Sequence, residues 1–174
     1  MIKKLVACIG EYKKEAILTP IFVAFECAFD ILIPFLMAFL IDEGINKGDV
    51  KTIILIGSAL IVSALLAMYA GVKAGWYASR ATSGFAKNLR KKIYYAVQDF
   101  SFSNIDKFST SSIVTRHTTD INNVQFAFQM IIRMAVRSPL MLIFSLLMAF
   151  LVNGKLALIF LAALPVLSLG LYLI

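Results

Sequence analysis

The sequence predicts an all-α polytopic membrane protein, and three observations carry that prediction. Of its 174 residues 60% are hydrophobic and 12% aromatic, with a mean hydropathy of +0.86, whereas a soluble domain stays near half apolar. Long apolar runs lie at 16–41, 52–72, 138–152 and 156–174, against the roughly 20 residues that cross a hydrocarbon core of about 30 Å. The third run is short by itself, and apolar residues among 126–136 extend it backwards. Finally, the basic residues are placed unevenly along the chain, as topology requires of a multi-pass protein.

The elements follow in order. Ile2, Leu5, Val6 and Ile9 stand at helical spacing opposite Lys3 and Lys4, which predicts an amphipathic helix over 2–14 lying in the membrane interface. Gly10, Lys13 and Lys14 cut this stretch too short for a signal peptide. Span 1 is 16–41. A tight outer loop with Gly44 and Gly48 leads to span 2 at 52–72, and Asn153, Gly154 and Lys155 turn span 3 (138–152) into span 4 (156–174). Pro20, Pro34, Pro139 and Pro165 lie in or beside the spans, where neighbouring helices can satisfy freed backbone groups and kinks are expected.

Between spans 2 and 3 the chain is long, polar and poor in helix breakers. Phe85, Leu89, Ile93, Ala96 and Phe100 recur every three or four residues, with Lys87, Arg90, Lys91 and Lys92 on other faces. Val114, His117, Ile121, Val124, Phe128, Ile131 and Ala135 form a second such seam. At 1.5 Å per residue the outward leg 73–101 reaches about 43 Å and the return leg 112–137 about 38 Å. The expectation is a helical hairpin over 73–137, projecting into the cytoplasm. At its tip Ser103 and Asp106 match a capping pattern, and the Ser/Thr run 109–112 offers a second helix start, so a short transverse helix is expected at 104–111.

With the N-terminus cytoplasmic, Lys3, Lys4, Lys13, Lys14 and the ten Lys and Arg from Lys73 to Arg137 fall inside, leaving Lys47, Lys51 and Lys155 outside. The net charge of +7 therefore reports topology and contact with anionic lipid, and no nucleic-acid partner is implied. Cys8 and Cys27 suggest neither a disulfide nor a metal site. There is no phosphate loop, no G-x-S-x-G, and a single His, so no catalytic site and no metal or other cofactor are expected in this chain.

Glu26 and Asp30 are the sharpest chemical signal. They stand four apart in span 1, where an ionisable group costs at least about 2.5–3.5 kcal/mol and must face protein or water. Either they line a site for a cationic substrate or for protons, or they pack, protonated or paired with polar groups, against a neighbouring helix. No basic partner is visible on the other spans, because Arg133 and Arg137 are read as bracketing the re-entry point and snorkelling to headgroups. Trp76 and Tyr77 mark an inner aromatic belt. His117, on the apolar seam, reads as a packed residue.

The stretches FSFSNIDKFSTSSIVTRHTTDINNVQ (100–125), RMAVRSPLM (133–141), IDEGINKGD (41–49) and SGFAKNLRKKIY (83–94) resemble the membrane domains of ATP-binding cassette (ABC) exporters, in particular the multidrug-type half-transporters of Gram-positive bacteria. The resemblance runs in register over essentially the whole chain. It implies that the transverse tip, Asn104, Ile105, Asp106, Lys107, Phe108, Ser109, Thr110 and Ser111, is a coupling helix that docks on a cytosolic nucleotide-binding domain and passes its closure to the spans. Thr115, Arg116, Thr118 and Asp120 match the family's T-R-x-T-x-D, and His117 stands where the family usually has Leu. The resemblance further implies two missing spans and a missing nucleotide-binding domain that would hold ATP and Mg²⁺, so the sequence is expected to be the first four helices of a longer polypeptide. It also implies a second transmembrane half, as homodimer or heterodimer, an exported small molecule as cargo, and a place in the cell membrane.

Two other functions suit parts of the sequence. A proton-coupled small cation transporter would use Glu26 and Asp30 but needs only short loops. A membrane sensor would use the hairpin as a stalk, although such stalks continue into an output domain and do not return to the bilayer.

Overall fold

The computed structural model describes residues 5–99, 115–155, 157–159, 161–163 and 165, and every regular element among them is helical. Helix α1 is Lys13–Phe39, continued by a π-helical turn Leu40–Ile45. Helix α2 is Val50–Gln98, 49 residues without a break. A π-helical turn Arg116–Asp120 leads into α3, Ile121–Val152, which carries Pro139 inside it. Among the described residues three helical stretches, Gly10–Ile45, Val50–Gln98 and Thr118–Val152, are long and apolar enough to cross a membrane, and most of the expected span 4, 156–174, lies outside them. Ile54, Leu55, Ile61 and Met68 of α2 each lie more than 60% exposed. Water would not tolerate such a surface, whereas lipid tails are as apolar as these side chains.

The chain divides into two compact units. The first joins Met1–Val23 to Gly71–Val136. Its core is a stripe of small residues on α2, in which Ala74, Ala78, Ala81 and Ala86 are all but fully buried. Side chains this small let helix backbones approach closely. Ala78 and Ala81 pack with Ile132 of α3, with Ala16 and Phe128 against them. Phe85 and Phe128 meet with ring centroids 4.6 Å apart, and Phe22 stacks on Tyr77 at 5.4 Å. Arg90 donates to Asn122 Oδ1 at 2.8 Å. Buried Thr19 and Thr82 satisfy their hydroxyls on their own helices, donating to the carbonyls of Glu15 and Ser79.

The N-terminal stretch differs from the single helix expected over 2–14. Leu5 and Val6 are helical, a turn follows at 7–8, and Gly10–Tyr12 form a 3₁₀ turn ahead of α1. The break falls at Gly10, whose φ of 51° lies in the left-handed region open to glycine. Two contacts fix the stretch to α2. Asn88 donates to the carbonyl of buried Cys8 at 3.0 Å, and the Tyr12 ring lies so close over Gly84 that a Cβ there would overlap it. The return seam also differs. Ile121 is buried and Phe128 packed, but Ile131 is 61% exposed and Ile132 is buried in its stead. Ile132 follows Ile121 by about three α-helical turns, whereas alternating steps of three and four drift off that face by about 20° per heptad.

The second unit joins Ala24–Ala70 to Arg137–Ile174. Cys27, Ile56, Ser63 and Ala157 are buried in it. Its first turn is narrow because the π turn carries helix almost to its apex: Asn46 N–H donates to Ile41 O, and Gly48, at φ 68°, donates to Ile45 O. Gly44 sits against Ile53, leaving no room for a Cβ. Asp49 caps α2, accepting from the Lys51 backbone N–H at 3.1 Å and from the Thr52 hydroxyl at 2.6 Å. Those bonds, the Thr52 hydroxyl first, hold its carboxyl below the usual carboxylate range. At the other turn Asn153 Oδ1 accepts from the Lys155 backbone N–H at 3.0 Å, and its carbonyl accepts from Ala157.

Candidate functional site

Within the second unit, α1 and α3 bring three charges together inside apolar sequence. Glu26 and Asp30 share one face of α1, being four residues apart. Arg137 of α3 reaches both. Its Nη1 donates to Glu26 Oε1 at 2.5 Å and its Nη2 donates to Asp30 Oδ2 at 2.8 Å. One guanidinium fork thus bridges two carboxylates with separate nitrogens, a geometry that lysine's single point charge cannot reproduce. The Glu26 side chain is the more enclosed, 14% exposed against 31% for Asp30 and 33% for Arg137. Glu26 Oε2 is buried and has no hydrogen-bond partner among the described residues.

This corrects the sequence reading of Arg137. It does not snorkel to headgroups. It is the basic partner that Glu26 and Asp30 appeared to lack. The physical reason is where its fork points: Arg137 lies well inside α3, and the guanidinium faces the two acids of α1. A cation in that position, with two acids in another apolar run, was the available signal, because a charge in hydrocarbon needs a partner of opposite sign.

Asp30 also lines a cavity of about 490 Å³, whose wall is otherwise apolar or amide and hydroxyl: Pro34 and Phe35 of α1, Ser145 and Met148 of α3, and Asn153. Glu26 does not line it. The Ser145 hydroxyl is already engaged, donating to the Met141 carbonyl. Among the described residues of the lining Asp30 is the one charged group, and the two acids of the predicted pair have separate surroundings. The other predicted site, the transverse segment 104–111, lies outside the described residues, as does the side chain of His117.

An all-α, multi-pass membrane protein with an ion-paired centre inside its spans is the class that this fold and site define. The chain belongs to the family of ABC transporter transmembrane regions, whose family model matches residues 16–174. Over 144 residues it is 34% identical to an uncharacterized ABC transporter ATP-binding protein, YfiB, of Bacillus subtilis (strain 168), covering 83% of this chain and 25% of the relative. An uncharacterized ABC transporter ATP-binding protein of Mycobacterium bovis is 27% identical over 82% of this chain and 24% of its own length. An ATP-dependent lipid A-core flippase of Pseudoalteromonas translucida is 25% identical over 95% of this chain and 29% of its own. The chain spans about a quarter of the length of the curated relatives it matches.

Proposed function

We propose that the chain forms part of the translocation pathway of an ATP-driven exporter, carrying lipophilic or cationic small molecules across the cell membrane, with its N-terminus cytoplasmic. Family membership supports the exporter class, and one observation carries the mechanical part. At 49 residues, α2 has more than twice the roughly 20 that a bilayer needs, so it must continue well beyond the hydrocarbon. The basic residues from Lys73 to Arg116 support an extension on the inner side of the membrane, by the positive-inside rule. In this reading the segment 104–111 docks on a nucleotide-binding domain, which holds ATP and Mg²⁺ and drives the spans, and a second transmembrane half completes the pathway. The name of the flippase relative supports an amphiphilic cargo.

The test is a cysteine placed at Asp106 or Lys107 and crosslinked to a co-expressed nucleotide-binding domain. A crosslink whose yield changes with ATP is the expected result. No ATP-sensitive crosslink, or transport that survives ATP depletion and collapses with the proton gradient, would overturn the proposal.

A further inference from the structure

We infer that Lys73, Trp76 and Arg80 of α2 form a site for one anionic phospholipid, whose phosphate is held by the two cations. The inference concerns the bilayer and not the cargo, so it goes beyond the proposed export. The three residues follow one another by three and four positions and share one face of the helix. Arg80 Cζ lies 4.8 Å from the centre of the Trp76 ring and Lys73 Nζ lies 5.8 Å from it, so two like charges are gathered on one indole. A cation over a ring face keeps its N–H donors, and a guanidinium with an ammonium nearby suits the oxygens of a phosphate. The ring is braced from behind. Trp76 meets Tyr77 edge-on at 4.9 Å, and Tyr77 stacks on Phe22 of α1 at 5.4 Å. Even so the indole is 49% exposed, on the face away from buried Ala74, Ala78 and Ala81.

Depth and charge select the ligand. The apolar run 52–72 measures about 32 Å at 1.5 Å per residue, which matches a hydrocarbon core of about 30 Å, so Lys73 stands at its edge. Arg80 is two turns further on, and the pair brackets a headgroup layer of roughly 5–8 Å. Along its 49 residues α2 has no acidic side chain, so the helix offers these cations no carboxylate of its own. The start of α1 reaches the same level, because Ala16 packs against Ala78 and Ala81, and there Lys13 and Lys14 outnumber Glu15. A zwitterionic headgroup would bring its own ammonium into this surplus of positive charge, whereas an anionic one brings only its phosphate. A free phosphate has no acyl chains to keep it at the edge of the core. Every residue of the site and its brace belongs to the first unit.

Trp76 is the one tryptophan of the chain, so it reports on its own surroundings. The chain is placed in phosphatidylcholine nanodiscs, and phosphatidylglycerol or phosphatidylcholine, each brominated on its acyl chains close to the headgroup, is introduced in steps; bromine quenches an adjacent indole. In wild type phosphatidylglycerol is expected to bind at least about fivefold more tightly than phosphatidylcholine, the scale of a basic residue at an anionic surface. Lys73→Gln and Arg80→Gln should each remove most of that preference. Arg80→Lys, which keeps the charge, should retain most of it, and Lys91→Gln, further along the same helix, should leave it unchanged. The emission maximum without bromine shows whether the ring keeps its place, and if one glutamine variant shifts it, the other decides. Equal quenching by the two lipids in wild type overturns the proposal. So does an equal loss in Lys91→Gln, which would mean diffuse charge along α2, or displacement by millimolar inorganic phosphate, which would mean a soluble ligand. No nucleotide or partner domain is involved, so failure here leaves the coupling test standing, and failure of that test leaves this one standing.

Discussion

The two units solve opposite problems with the same helices. In the first, α2 and α3 pack through Ala78 and Ala81 against Ile132, and an ion pair stays outside: Lys87 and Glu11 pair at 3.5 Å with both side chains two-thirds exposed. In the second, apolar side chains of α2 are exposed and one charged trio turns inward, where Arg137 holds Glu26 and Asp30. An exposed pair contributes at most about 1 kcal/mol. An enclosed one is costly to break, since the survivor keeps its desolvation cost without its partner. The contrast shows why the same residue types carry different weight a few helical turns apart.

The largest effect is expected where that contrast is sharpest. Arg137→Ala strands two acids among apolar side chains and should destabilise the protein by about 3–5 kcal/mol, toward the lower figure because Asp30 is partly exposed. Thermal unfolding in detergent would read this. The triple variant Glu26→Gln, Asp30→Asn, Arg137→Ala should recover most of the loss, and a triple as unstable as the single would show that the guanidinium acts through packing and not through charge.

A middle effect probes the first unit. Gly84→Val drives a side chain into the Tyr12 ring, with a cost of about 1–3 kcal/mol from overpacking. The N-terminal stretch should then become sensitive to limited proteolysis, and Tyr12→Ala in the same background should relieve part of the cost. Additive losses would mean that the ring and the glycine are not coupled.

The smallest effect lies at the exposed cap of α2. The Asp49 carboxyl is held below the usual carboxylate range, so its contribution is complete above that range and fades as pH falls through the lowered value. Protection of the Lys51 and Ile53 amides, referred to their intrinsic exchange rates at each pH, should fall at acid pH in wild type, and should be flat through that window in Asp49→Asn.

How much of this was legible follows from which forces leave a local trace. The all-α membrane class was readable because hydrophobicity is written residue by residue, and Glu26 and Asp30 were conspicuous for being acidic in an apolar run. Arg137 was misread because its role depends on which side chains of α1 stand opposite it, and one helix read alone does not show that. Charge counted at a span's edge became charge inside it. The break at Gly10 left no periodic trace, since a left-handed backbone requires only a glycine that could equally have been helical. Ile131 was preferred to Ile132 because a seven-residue pattern was followed where a straight helix keeps its own period. The separate surroundings of Asp30 and Glu26 depend on which side chains from α3 and the following turn stand nearby, and one helix viewed alone cannot supply that.

The ion-paired centre has an odd number of members. One fork on α3 meets two acids a full turn apart on α1, so neither helix can slide or roll against the other without parting a bond, and the three members together act as a clasp.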